Sequence, residues 1–236
     1  MKVLVLNGSP KAERSNTLNI TKAFLKGFPA DTETEFVSLY KLNIRPCVGC
    51  FSCWSKTQGH CVINDDMQEL YGKIKSADII IESFPLYFFG MPSQLKAMTD
   101  RCLPFMLPYM GNLVEDKNAS FHELRDESMH EKRLVVITTC GYVQAEPMYP
   151  ALLKEFDLIA GEGGYTPILC PEGELFIAEK AKRQREGYLA DITKAGAEFA
   201  ANRALSGETM ERISRPILSP RGFETITLAH WEQKNK

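Results

Sequence analysis

Four cysteines fall within fifteen residues, as Cys47, Cys50, Cys53 and Cys61, and read C-x₂-C-x₂-C-x₇-C. Three thiolates at a spacing of three reach three corners of an iron–sulfur cubane, and a fourth further along the loop closes it as [4Fe-4S]. Zinc is a second option. Its structural sites take two pairs of ligands, which a triple run fits less well, although His60 could join. In the third reading the cysteines, interleaved with Phe51 and Trp54, ligate nothing. Spacing alone leaves the three open. Cys102, Cys140 and Cys170 read as buried small apolar residues, Cys140 differing in lying on a ligand-facing loop. His122, His130 and His230 are scattered, and no Ser-His-Asp signature or H-E-x-x-H appears, so hydrolase chemistry lacks support.

Such groups need a frame, and the chain reads as alternating strands and helices. Val3–Leu6 is a continuous apolar run, the mark of a strand buried on both faces. Thr17–Phe28 reads as a helix with Ile20, Phe24, Leu25 and Phe28 on one face and Gly27 near its end. Glu35–Leu39 reads as a second strand, followed by the cysteine-rich loop from about Asn43 to Asn64. Asp65–Ser76 carries a stripe of Met67, Leu70, Tyr71 and Ile74, and Asp66 with Glu69 resembles a capping box. Ile79–Ile81 is a third buried strand. Pro92 opens a helix with Leu95, Met98, Thr99 and Cys102 on one face. Leu134–Thr138 and Thr166–Leu169 read as the fourth and fifth strands, and Ala178–Asn202 as a long last helix.

This order predicts an α/β fold: a flavodoxin-like three-layer sandwich, with a five-stranded parallel sheet of order 2-1-3-4-5 and helices on both faces. One domain is expected over residues 1–205, with an insertion at about 104–132, and residues 206–236 form a C-terminal extension. The insertion opens Pro104-Phe105-Met106-Leu107-Pro108-Tyr109-Met110, which suits a ligand cover, a subunit contact or a packed surface excursion. Lys plus Arg is 28 and Asp plus Glu is 30, a net charge of −2, so no basic excess exists to hold a nucleic-acid backbone. Apolar runs are too short for a membrane span or a signal peptide, and seven cysteines then point to a reduced, cytoplasmic protein.

In an open parallel sheet the ligand sits beyond the carboxyl ends of the strands, where the strand order reverses. After the first strand, Asn7-Gly8-Ser9-Pro10-Lys11 through Ser15-Asn16-Thr17 supplies backbone donors, hydroxyls and a Lys at a helix N-terminus, groups that suit a phosphate. It matches neither a Walker A loop nor a G-x-G-x-x-G fingerprint, and its bland reading is a strand-to-helix turn capped by Thr17. After the third strand, Pro85-Leu86-Tyr87-Phe88-Phe89-Gly90-Met91-Pro92 sets three aromatics between prolines, suited to a flat ring with polar edges. After the fourth, Thr138-Thr139-Cys140-Gly141-Tyr142 is a polar turn at the same edge. A phosphate and a flat ring at this point describe flavin mononucleotide. Gly161-Glu162-Gly163-Gly164 precedes a strand, so it reads as a helix stop and turn.

The motifs at 8–17 and 85–92, with Leu95-Lys96-Ala97 through Asp100-Arg101, resemble the NADPH-dependent FMN reductases and the iron–sulfur flavoproteins of the same fold, over roughly residues 1–200. The resemblance implies that Ser9, Lys11, Ser15, Asn16 and Thr17 hold the FMN phosphate. It implies that Pro85, Leu86, Tyr87, Phe88, Phe89 and Gly90 line the ring, with Thr139, Gly141 and Tyr142 on another edge. Iron–sulfur flavoproteins carry a compact cysteine motif in the same place as Cys47–Cys61, whereas reductases often use this loop as a wall of the flavin pocket. The implied activity is an NAD(P)H oxidoreductase that passes hydride to FMN and onward to a quinone, flavin, nitro or azo compound, or protein acceptor. An electron carrier with a [4Fe-4S] cluster is the alternative, and a flavin-binding sensor without turnover a third. A homodimer or homotetramer is implied, with the insertion and Trp231 as contacts, and Arg125 or Arg133 is offered for a nicotinamide 2′-phosphate. Asp100 and Arg101 are read as a structural ion pair at a helix end.

Overall fold

The apolar runs pair with one another, as their lack of alternation requires. A computed structural model describes residues 1–108 and 122–234; Tyr109, Met110 and the side chain of His230 lie outside the description. The strands β1 (Lys2–Asn7), β2 (Glu33–Ser38), β3 (Ile79–Pro85), β4 (Arg133–Thr139) and β5 (Tyr165–Cys170) form one parallel sheet. Its order is β2-β1-β3-β4-β5, the expected flavodoxin-like arrangement. Asn7 lies beside Ser83, Pro85 beside Thr139 and Thr139 beside Cys170, which brings the loops after β1, β3, β4 and β5 to one edge.

Successive strand residues point to opposite faces, and each face has its own helices. α1 (Asn16–Leu25) and α5 (Lys182–Asn202) cover one, where Ile20, Phe24, Ile192 and Phe199 meet Val3, Val5, Ile81 and Val135. α2 (Met67–Ser76), α3 (Ser93–Asp100) and α4 (Pro150–Ala160) cover the other, where Leu70, Leu95, Leu152 and Phe156 meet Leu4, Leu6, Phe84 and Val136. α1 and α5 touch backbone to backbone. A Cβ on Gly196 would stand 1.8 Å from the Phe24 carbonyl oxygen, so only glycine permits the approach.

The structure departs from the sequence reading at several ends. α1 stops at Leu25, before Phe28, and is capped by Ser15 instead of Thr17. Asp66 makes no capping bond; it accepts from the Asn43 N–H, while Asp65 accepts from the Met67 N–H. The long helix begins at Lys182, after two 3₁₀ turns at Gly173–Ile177 and Glu179–Ala181. α4 goes unassigned in the sequence reading although its signals are present: Pro150 in its first turn, Leu152 and Phe156 four apart, and Gly161 (φ 82°) as its stop. Residues 206–236 include α6 (Gly207–Ser214) and α7 (Pro220–Lys234), and Ile213 of α6 joins the core under α5. Among the described residues no helix is long and apolar enough to cross a membrane.

Candidate functional site

The strand order reverses between β1 and β3, and the loops beside that point are tightly cross-braced. In residues 8–15, the Asn7 amide donates to the Ala12 carbonyl at 2.9 Å and accepts from the Ser9 N–H at 3.1 Å. The Gly8 N–H donates to the Ser83 carbonyl at 2.9 Å, and a Cβ there would stand 3.0 Å from that of Leu95. The Ser15 hydroxyl accepts from the Leu18 N–H at 3.4 Å. Other N–H groups of the first turn of α1 have no acceptor within the helix, and the helix dipole adds to their pull on an anion.

The loop after β3 starts with the Leu86 N–H donating to the Thr139 carbonyl at 2.8 Å. Tyr87 and Gly90 then exchange two backbone bonds, at 3.1 and 3.0 Å. They enclose Phe88 and Phe89, whose φ angles of 49° and 65° form a mirror-type turn that strains both residues. The Thr17 and Thr139 hydroxyls bond at 2.7 Å. The Asn16 amide donates to the Gly173 carbonyl at 2.8 Å, and the Gly173 N–H to the Cys140 carbonyl at 2.7 Å.

These loops surround a cavity of about 170 Å³. Ser9, Lys11, Ser15, Asn16 and Thr17 line one part, Pro85, Leu86 and Tyr87 a second, and Thr139 and Gly141 a third. Phe88, Phe89, Gly90 and Tyr142 are not part of the lining, and Phe88 is 100 % exposed. Cys140, Gly173 and Glu174 complete the wall. Gly173 and Glu174 carry no motif, and only the register of β5 brings them here. Burial pushes the Cys140 thiol up, so it stays protonated. Hydroxyls, amides and one lysine at a helix N-terminus can hold a phosphate, and the Pro85–Tyr87 wall can lie beside a flat ring. The residues present fit FMN.

The cysteine loop is clamped at its neck. Arg101, 1 % exposed, donates from Nη1 to the Arg45 carbonyl at 2.8 Å and to Asp65 Oδ2 at 2.9 Å. Its Nη2 reaches Asp65 Oδ1 at 3.1 Å and the Ile63 carbonyl at 3.4 Å. Burial alone would raise the Asp65 carboxyl; Arg101 and the N–H groups of Arg45 and Met67 reverse this and hold it below its ordinary value. The expected Asp100–Arg101 pair is therefore corrected: Asp100 pairs with Lys96, and Arg101 ties the loop's two ends together.

Inside the loop, Cys47, Cys50, Cys53 and Cys61 line one small void, closed by Arg101, Leu103 and Pro104; His60 is not in its lining. Burial, then Cys61, Cys50 and Cys47, push the Cys53 thiol up, while the Ser52 hydroxyl and N–H draw the exposed Cys50 thiol down. Four thiols on one void suit an iron–sulfur group in kind. They do not converge on a point: among the described residues no three of His, Cys, Asp or Glu are grouped to hold a metal ion. Phe51 and Trp54 are absent from the lining of the cleft cavity. The Trp54 indole donates to the Leu103 carbonyl at 3.1 Å and lies 5.3 Å from the Phe51 ring and 4.8 Å from that of His122. Arg125 donates to the carbonyls of Pro104 and Met106, and Arg133 begins β4 at the sheet's opposite end, so neither lines the cleft.

The family model for NADPH-dependent FMN reductase matches residues 1–145. An iron-sulfur flavoprotein of Methanocaldococcus jannaschii is 40 % identical over 109 residues, 46 % of this chain and 55 % of that one. An iron-sulfur flavoprotein of Methanosarcina thermophila is 37 % identical over 101 residues, 43 % and 52 % of the two chains. The chain spans about half the length of these curated relatives. An FMN-dependent NADH-azoreductase from Bacillus anthracis, solved with FMN, shares the fold at a TM-score of 0.57 and 17 % identity, over 84 % of this chain and 99 % of its own.

Proposed function

The chain belongs to the NADPH-dependent FMN reductase family, and from that premise we propose that it binds FMN in the cleft at the carboxyl edge of the sheet and acts as an NAD(P)H oxidoreductase. Bound FMN supplies hydride chemistry, taking electrons from a nicotinamide and returning them to a quinone, flavin, nitro or azo compound, or protein acceptor. Ser9, Lys11, Ser15, Asn16 and Thr17 hold its phosphate, the α1 N-terminus adding its dipole. Pro85, Leu86 and Tyr87 lie beside the ring, and Thr139, Cys140 and Gly141 meet another edge. The observation that carries this reading is the convergence of these groups on one cavity where the strand order reverses.

The test is FMN binding followed by NADPH and NADH oxidation with a quinone and an azo dye. Lys11→Ala together with Ser15→Ala is expected to weaken FMN binding at least tenfold, since each removes a phosphate contact. Unchanged binding in the double variant, or FMN binding without oxidation of either nicotinamide, contradicts the proposal.

A second reading is supported by the cysteine loop and by relatives named iron-sulfur flavoproteins. In it Cys47, Cys50, Cys53 and Cys61 hold a [4Fe-4S] cluster that supplies one-electron transfer, and the chain is an electron carrier. Iron and acid-labile sulfide near four per chain would support it. All seven cysteines are free, which favours a reducing, cytoplasmic setting. The exposed Phe88, Phe89 and Tyr142 at the cleft's rim suit a homodimer or homotetramer, to be read by sedimentation.

A further inference from the structure

Where the chain turns out of β5 it makes one wall of the cleft, with Gly173 and Glu174. Gly173 is locked to the loops after β1 and β4. The Asn16 amide donates to its carbonyl at 2.8 Å, and its N–H donates to the Cys140 carbonyl at 2.7 Å. A Cβ on Gly173 would stand 3.1 Å from that of Thr139. A shift of this residue therefore disturbs three groups that line the cleft, Asn16, Thr139 and Cys140.

Glu172 stands immediately before this wall, and its side chain is not in the cleft's lining. Its backbone is left-handed, at φ 55° and ψ 38°, a conformation that favours glycine and strains a glutamate. The residue is fully buried, and its N–H donates to the Tyr142 carbonyl at 2.9 Å. Its Oε2 accepts from the N–H groups of Ile217 and Leu218, the latter at 2.9 Å, while Oε1 has no hydrogen-bond partner among the described residues. Strain and burial both count against a carboxyl here, and the two bonds to the tail are what the side chain gives in return. Apolar contacts run beside them: Leu175 of the same turn is buried with Phe223 of α7, and Ile217 and Leu218 pack on this cluster. Arg185 of α5 holds the far end of the turn, donating to the carbonyls of Leu175 and Ala178 at 3.0 and 3.1 Å. The near end, at Glu172, is held by the tail. Both partners lie beyond residue 145, outside the residues that the family model matches.

Resting on the reading of the cleft as an FMN site, we propose that Glu172 is a positioning residue for it. By gripping the backbone of residues 217–218 it fixes Gly173 and Glu174 in the arrangement that FMN binds, so the tail sets cofactor affinity without touching the cofactor. The grip depends on an oxygen acceptor and not on a charge. A glutamine amide oxygen can accept the same two N–H bonds, and an alanine methyl group cannot.

The test is fluorescence titration of the full chain with FMN, paired with amide hydrogen exchange at Gly173 in the chain without FMN. Glu172→Ala is expected to weaken FMN binding and to speed Gly173 exchange, each by about tenfold. Glu172→Gln should bring both back to within about twofold of the wild type, a rescue that loss of buried packing alone would not give. Phe223→Ala, which loosens α7 against Leu175, should shift both in the same direction and covers the case in which Glu172→Ala does not fold. The proposal is overturned if folded Glu172→Ala or Phe223→Ala chains bind FMN as the wild type does, if Gly173 exchange is unaltered in them, or if Glu172→Gln is as impaired as Glu172→Ala. A wild type that binds no FMN contradicts the reading of the cleft instead, and Gly173 exchange then still decides whether Glu172 and the tail hold the wall.

Discussion

Arg101 and Asp65 are both buried, and each supplies what the other's burial demands. Arg101→Leu leaves a buried carboxylate without its cation, and urea unfolding should show a loss of about 3–5 kcal/mol. A loss under about 1 kcal/mol would mean that the clamp is ornamental. The same variant should speed the reaction of Cys53 with a thiol reagent, because the loop's neck opens. Glu82 gives a pH prediction with the opposite sign to Asp65. Its folded pKa of about 7 lies above the ordinary 4.5, so its stabilising contribution is present below pH 4.5 and lost as pH rises through 7. Glu82→Gln should therefore gain on the wild type by up to about 3 kcal/mol between pH 4.5 and 8, measured by urea unfolding at both ends. A constant difference would contradict the buried carboxyl. At this scale the sequence shows residue types but not partners. Asp100 and Arg101 are adjacent in sequence, yet successive helical residues do not face one another; Arg101's partner lies 36 positions away.

The central strands β1, β3 and β4 were legible because they are buried on both faces and read as apolar runs, whereas the edge strand β2 is largely exposed. The order of the strands followed from alternation with helices, which forces parallel pairing. Ends were less legible, since caps depend on local hydrogen bonds: Ser15, two residues before Thr17, takes the α1 cap. The part of the cleft lined by Ser9, Lys11 and Ser15–Thr17 was readable because it lies on one continuous loop, whereas Gly173 and Glu174 arrive through tertiary register. Phe88 and Phe89 read as ring-lining aromatics, but they sit in a turn of positive φ and outside the cavity's lining. The α1–α5 contact yields a prediction of its own. Gly196→Ala must part the two helices at the Phe24 carbonyl, and a loss of about 1–3 kcal/mol is expected in thermal or urea unfolding. Unaltered stability would show that the helices slide apart freely.

Across the whole molecule, the family match ends at residue 145, while the structure continues through β5, α5 and two further helices. The tail is tied in by Glu172, whose Oε2 accepts from the N–H groups of Ile217 and Leu218, and by the Tyr188 hydroxyl donating to the Ile213 carbonyl at 2.9 Å. Removing residues 206–236 strips both ties and uncovers the core around α5, so the melting temperature should fall by several degrees; an unchanged value would make the tail an independent appendage. The cleft and the cysteine loop share no lining residue, and each can be probed without the other. The central claim concerns the cleft, and it is tested most directly by the visible spectrum of the chain purified without air and supplied with FMN. Flavin absorbance that stays with the protein through gel filtration, at one FMN per chain, is the predicted result. Protein that emerges free of flavin would contradict the account.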